Sequence, residues 1–183
     1  MVTALKLTVH HLDAVPEDGN RYELIDGELL VSEMPWIIHQ ETLGELFARL
    51  LRSVKTSQVG EVFFSLQIVF DDCNAVIPDL VFVSAERRHI ITPRGLIDAP
   101  DLIVEVVSPG EANEERDRTV KRQLYSRRGV REYWVVDPQL RLIEVYRLQE
   151  NVLILVATLH DGDTLTSPLL PGFSCVVNEV FAK

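Results

Sequence analysis

The sequence predicts an α/β (mixed α+β) fold, a central mixed sheet flanked by helices with antiparallel hairpins at both ends. Three observations carry this expectation. Two extended runs, 22–25 and 28–31, flank Asp26-Gly27, a pairing that favours a two-residue type I′ turn. Leu43, Leu46, Phe47, Leu50, Leu51 and Val54 step by three and one, the stripe of an amphipathic helix lying on a sheet. An apolar strand over 102–107, a helical stretch and a second strand over 133–136 make a strand, helix, strand unit. With 183 residues, 46% hydrophobic content and no long biased tract, one globular domain over residues 1–183 without a linker is expected.

Taken in order, Thr8 caps a short helix running through Leu12 and Ala14, and Pro16-Glu17-Asp18-Gly19-Asn20 reads as a turn. The first hairpin follows, so the sheet opens antiparallel. The long helix begins after Pro35. Residues 60–64 and 67–70 read as strands, Asp71-Asp72-Cys73-Asn74 as a turn and 80–83 as a buried strand. Two prolines and a glycine make 86–100 an irregular surface crossing. The stretch 113–128 is helical in composition, with Gly129 placed to end it. A closing hairpin is expected over 141–148 and 152–159, with 168–181 as a tail packed back on the body.

The formal net charge of −10 opposes a protein that coats nucleic acid or an anionic membrane through its overall field, so any polyanion must meet a local basic patch. Cys73 and Cys175 form no CxxC pair and suggest neither a zinc ribbon nor a disulfide scaffold, which fits a reducing cytoplasm. Residues 1–9 hold no apolar core of signal-peptide length. The longest apolar stretch, 152–159, is strand-sized, so no membrane association is expected.

Two strings each place one carboxylate in a strand-like apolar run: Ile77-Pro78-Asp79-Leu80-Val81-Phe82-Val83 and Leu102-Ile103-Val104-Glu105-Val106-Val107-Ser108-Pro109. An ionised carboxylate inside a packed sheet costs several kcal/mol unless a cation or hydrogen-bond donors offset it, so the pair suggests a shared divalent metal. At one end of neighbouring strands, Asp79 and Glu105 with a backbone carbonyl and waters supply the oxygen shell that Mg²⁺ or Mn²⁺ requires. The plainer alternatives are a Pro-Asp turn for Asp79 and a structural ion pair for Glu105.

The following helix concentrates Arg116, Arg118, Lys121, Arg122, Arg127 and Arg128, with Arg131 just beyond. It reads either as a docking place for phosphate or as a solvated face on which Asp117 and Lys121 form an i, i+4 pair. Glu23 and Gln67 are polar residues within strand-like runs and become candidates for contact with metal waters or substrate, as does Arg122. His39 has no second histidine at ligand spacing, and a structural or capping role is expected. Tyr133 and Trp134 are expected in the core.

Taken together, Tyr22-Glu23-Leu24-Ile25-Asp26-Gly27-Glu28, His39, Pro78-Asp79, Val104-Glu105-Val106-Val107-Ser108-Pro109, the series Asp117, Lys121, Tyr125, and Gly129-Val130-Arg131-Glu132-Tyr133-Trp134-Val135-Val136-Asp137-Pro138 resemble the Uma-two family. That family belongs to the PD-(D/E)XK, restriction-endonuclease-like superfamily, and the likeness covers roughly residues 20–148. It implies a restriction-endonuclease-like sheet with Asp79 and Glu105 as metal ligands, the Val106 carbonyl as a further ligand and Mg²⁺ or Mn²⁺ as cofactor. The implied reaction is hydrolysis of phosphodiester bonds in DNA or RNA.

One departure stands out. The superfamily pattern places a lysine two positions after the second acid, where this chain has Val107. Lys121, reaching in from the next helix, is the substitute. The competing expectation is a catalytically degenerate module in which the fold serves binding or oligomerisation. The apolar runs near the C-terminus admit a homodimer, which suits cleavage of two strands.

Overall fold

The computed structural model describes residues 6–181, so the expectation for residues 1–9 falls largely outside it. Strands β1 (Arg21–Ile25) and β2 (Glu28–Ser32) form the expected hairpin. Asp26 and Gly27 have φ of 52° and 80°, the paired positive values of a type I′ turn. Before them, Val9–Ala14 is a 3-10 helix with Thr8 and His11 closing a capping box. Helix α1 (Ile37–Ser57) starts two residues after Pro35 and ends with Gln58 in the left-handed region at φ 55°.

Strands β3 (Gly60–Phe64), β4 (Ile68–Asp71), β5 (Asn74–Val76) and β6 (Leu80–Ser84) follow. The expected surface crossing holds a 3-10 turn, Ala85–Ile90, and a small hairpin of β7 (Ile91–Thr92) and β8 (Gly95–Leu96). It is not confined to the surface, because its apolar members Ile90, Leu96 and Ala99 are buried. Strand β9 (Leu102–Val106) leads into α2 (Glu111–Glu115), a π-helical segment (Arg116–Lys121) and α3 (Arg122–Arg127). Strands β10 (Glu132–Asp137), β11 (Leu142–Gln149) and β12 (Val152–His160) complete the main sheet, and β13 (Thr164–Leu165) pairs with β14 (Cys175–Val176).

The strands form two six-stranded mixed sheets rather than one. The main sheet runs β12-β11-β10-β9-β6-β3, with β9 and β10 parallel and every other neighbour antiparallel. The second runs β2-β1-β5-β4-β8-β7. It takes the first hairpin out of the main sheet because β1 pairs with β5 through Leu24 and Ala75.

Side chains of the main sheet alternate between two cores, as the period of a strand requires. Leu80, Phe82, Val104, Val106, Trp134 and Val136 meet Leu46, Leu50 and Val54 of α1, together with Phe173, Val177 and Phe181 of the tail. On the other face Val81, Val83, Ile103, Val107, Tyr133 and Val135 meet Leu124 and Tyr125 of α3 and Ile25, Ile68 and Val76 of the second sheet. Asp79 and Glu105 carry the odd numbers of this second face, so the pleat turns both towards the layer where sheet, hairpin and helix converge. Among the described residues no helix is long and apolar enough to cross a membrane.

Candidate active site

Strands β6 and β9 pair antiparallel with Leu80 opposite Val104, and one step further the register sets Asp79 across from Glu105. Both are 1–2% exposed. Asp79 Oδ1 accepts from Arg21 Nη1 at 3.0 Å, and its Oδ2 accepts from His39 Nε2 at 3.1 Å and from the Val106 N–H at 2.8 Å. Burial opposes ionisation of Asp79, but His39, the Arg21 guanidinium and the Val106 N–H outweigh it and hold the carboxyl below the usual carboxylate range.

Glu105 Oε1 accepts from Lys121 Nζ at 3.0 Å and from the Tyr125 hydroxyl at 2.7 Å. Lys121 is 1% exposed and lies equally close to Glu23 Oε1, at 3.0 Å. Burial pushes Glu105 up to about 8; the Lys121 charge resists this, while Asp79, Asp117 and Glu23 reinforce it. Burial disfavours the Lys121 cation, yet the charges of Glu105, Glu23 and Asp117 prevail and raise its pKa. Two carboxyls thus share one ammonium.

Glu23 reaches this layer because Arg21 and Glu23, two apart in β1, project to one face of the hairpin. Its Oε1 also accepts from the Ile77 N–H at 2.8 Å, whereas Oε2 is buried without a hydrogen-bond partner. Arg116 grips Asp117 through Nε and Nη2 and reaches Ser32 Oγ through Nη1 at 2.8 Å. The expected solvated pair of Asp117 and Lys121 is therefore not formed. Both are buried, Asp117 bonds to Arg116 and Lys121 turns to the two glutamates.

Asp79, Glu105 and Val106 line a cavity of about 20 Å³, room for about one water, with Arg21, His39 and Arg116 among its walls. Ser32, Glu33, Ser108 and Arg116 are shared with a neighbouring cavity of about 330 Å³ that Met34 and Trp36 also line. Asp79 and Glu105 face a narrow recess rather than an open cleft, and Lys121, which bonds Glu105, does not line it. Among the described residues no three His, Cys, Asp or Glu side chains are arranged to hold a metal ion.

Gln67 and Arg122 stand apart from this cluster. Gln67 lines a different cavity, of about 410 Å³, with His10, Asp13 and Arg94. The Arg122 guanidinium lies over the Tyr146 ring, 5.2 Å from its centroid. The helix that carries Arg122 is not an unpaired basic face. Arg116 faces Asp117, Arg118 faces Asp137 and Glu144, Arg127 faces Asp26, Arg128 faces Asp71, and Arg131 beyond the helix faces Asp101. Val107 is buried among apolar side chains of the second core.

Sequence reasoning does not single out Arg21, and the structural or capping role it assigns to His39 leaves out the bond to Asp79. The available signals are the shared face of Arg21 and Glu23, and the polar continuation of the α1 stripe: His39, Thr42, Leu46, Leu50 and Val54 are its buried residues. Thr42 Oγ1 and His39 Nδ1, like Glu23 Oε2, are buried without a partner.

The chain is similar in structure to a crystallised protein described as a "putative nuclease belonging to DUF820" from Anabaena variabilis ATCC 29413. The TM-score is 0.78 and the identity 19%, over 96% of this chain and 97% of that one, which establishes a common nuclease-like fold. The type IIG restriction endonuclease BpuSI matches at TM-score 0.39 and 17% identity, over 78% of this chain and 14% of that one, too distant to carry an argument. No curated protein matches the sequence. The family model Uma2, described as "Putative restriction endonuclease", matches residues 9–178, nearly the whole chain, and the protein belongs to this Uma-two family.

Proposed function

We propose that the protein is a metal-dependent endonuclease that hydrolyses phosphodiester bonds in DNA or RNA, with Asp79 and Glu105 as ligands of Mg²⁺ or Mn²⁺. The observation that supports this most is the pair of buried carboxyls facing each other across β6 and β9, with the Lys121 ammonium 3.0 Å from Glu105. Mg²⁺ binds through one or two carboxylates and keeps several waters, so two acids and a strand-end carbonyl, that of Val106, form an adequate donor set. The oxygens of Asp79 and Glu105 are hard donors of the kind such an ion takes. When bound, such an ion lowers the pKa of a coordinated water and offsets charge on the phosphodiester.

The chain's own groups complete the mechanism. Asp79 stays ionised. Glu105 would serve as a ligand of the ion in its deprotonated form. Lys121 takes the part that a lysine at position 107 plays in the superfamily pattern, and orients the attacking water beside Glu105. Tyr125, whose hydroxyl burial and the Glu105 charge keep protonated, fixes the Glu105 carboxyl by donating to it. Both cysteines are free, in keeping with a reducing cytoplasm as the place of action.

Two observations favour a second reading, a catalytically degenerate module of the same fold that serves binding or oligomerisation. Val107 is apolar and buried, and Arg21 already satisfies an Asp79 oxygen. A calorimetric Mn²⁺ titration separates the two. For an endonuclease, saturable binding is expected in the wild type and is lost in Asp79→Asn and Glu105→Gln. Cleavage of plasmid DNA or of an RNA with Mg²⁺ or Mn²⁺ is then lost in Lys121→Met, which fills the same space without the charge. Folded wild-type protein that binds no Mn²⁺, with or without DNA, establishes the scaffold instead.

A further inference from the structure

Three fixed cations surround the carboxyl cluster, and they differ in how fully they are used. Lys121 is sealed, at 1% exposure of its side chain, between Glu23 and Glu105. Arg116 is committed to Asp117, Ser32 and Asn113 through all three of its guanidinium nitrogens. Arg21 remains 23% exposed and bonds through Nη1 alone, to the Ile77 carbonyl at 2.9 Å and to Asp79 Oδ1 at 3.0 Å. Its Nε–H and Nη2 form no hydrogen bond among the described residues, and the side chain lines the recess that contains both acids.

From this we infer that Arg21 is the phosphate-binding residue of the site: one prong of its guanidinium is anchored on Asp79 and the Ile77 carbonyl, and the remaining donors receive a non-bridging oxygen of the phosphodiester. The inference rests on the nuclease reading above and names a substrate contact within it. A guanidinium presents donors in a fixed plane that matches two phosphate oxygens, and the anchored prong sets that plane in advance. Arg21 is also placed where the difficulty arises. A phosphodiester approaching the recess meets the carboxyls of Asp79, Glu105 and Glu33, and Arg21 is the cation on its wall with donors to spare. The hairpin register, which pairs Arg21 with Ser32, puts it on the same rim as the Arg116 bond to Ser32.

The test measures two affinities on the same proteins: Mn²⁺ by calorimetry, and a short fluorescein-labelled DNA duplex by anisotropy in Ca²⁺ buffer. Arg21→Gln keeps an amide donor for Asp79 and Ile77 but lacks the fork. It is expected to bind Mn²⁺ at least as tightly as wild type while losing DNA affinity by about tenfold or more, the loss for one charge-assisted contact. Its slope of log affinity against log salt should fall by about one. Arg21→Lys, which keeps the charge, should recover the salt slope and part of the affinity. Equal DNA affinity in wild type and Arg21→Gln overturns the inference, and so does loss of Mn²⁺ binding alongside DNA binding, which makes Arg21 a mere prop for Asp79. A wild type that binds Mn²⁺ but no DNA overturns it while leaving the metal site standing. A wild type that binds neither removes the nuclease reading itself.

Discussion

Glu23 Oε1 and Glu105 Oε1 each lie 3.0 Å from Lys121 Nζ, so one buried ammonium serves two carboxyls while Asp79 and Asp117 add negative charge nearby. Burial, reinforced by the charges of Asp79, Asp117 and Glu23 and resisted by Lys121, pushes Glu105 up to about 8, above its unfolded value, so the folded state binds that proton more tightly than the unfolded state does. Its contribution to stability is complete below the ordinary glutamate range and is lost as pH rises towards 8, by about 1.4 kcal/mol for each pH unit crossed. Asp79 works in the opposite direction: its low folded pKa stabilises above the ordinary aspartate range and fails only in strong acid. In metal-free protein Glu105→Gln should thus melt close to wild type at pH 5 and above it at pH 9, because glutamine accepts from Lys121 and Tyr125 without ionising. A melting difference that stays constant across this window would show that Lys121 keeps Glu105 ionised throughout.

The helical stretch after β9 shows why part of the site was legible and part was not. Its span, its glycine terminator and the inward faces of Leu124 and Tyr125 follow from local pattern. The π segment Arg116–Lys121 does not, because one extra residue in a turn leaves composition and propensity unchanged. Within that segment Lys121 turns to the glutamates and not to Asp117, and the Asp117 carbonyl accepts from the Tyr133 hydroxyl at 2.9 Å. Asp79 and Glu105 were legible because their apolar neighbours leave no solvated place for a carboxylate. Arg21 was not, since nothing in a strand-opening arginine announces that it will reach the Ile77 carbonyl and Asp79. The division into two sheets likewise depends on long-range pairing, the Leu24 to Ala75 contact above all. Deleting Thr119, whose side chain bonds the exposed Glu115, should restore α-helical spacing and turn the Arg116–Asp117 end by about 100° relative to Lys121. Calorimetry is expected to show a melting loss of several degrees together with lost Mn²⁺ binding; a deletion variant that matches wild type in both would mean that the wide turn has no part in assembling the site.

Over the whole molecule, a net charge of −10 sets the terms on which a polyanion can be handled. Five arginines from Arg116 to Arg131 are already matched by internal carboxylates, which leaves little free positive charge on that helix to draw in phosphate. On the proposed function, attraction arises at the recess, from Arg21 and from the divalent ion that Asp79 and Glu105 would hold. This makes nucleic-acid affinity conditional on the ion, unlike a protein that docks through a basic face. Anisotropy with labelled DNA should give weak binding in EDTA and much tighter binding in Ca²⁺, with a shallow salt dependence reflecting few phosphate contacts. Asp79→Asn and Glu105→Gln should flatten the response to Ca²⁺. Tight binding in EDTA that weakens steeply with salt would instead assign the docking surface to the helix, with its arginines exchanging internal carboxylates for phosphates. Such an exchange is affordable only where the internal pairs are solvent-screened, as at Arg127 and Asp26, both about half exposed, and not at Arg116 and Asp117, where the carboxylate is buried and the guanidinium only 14% exposed.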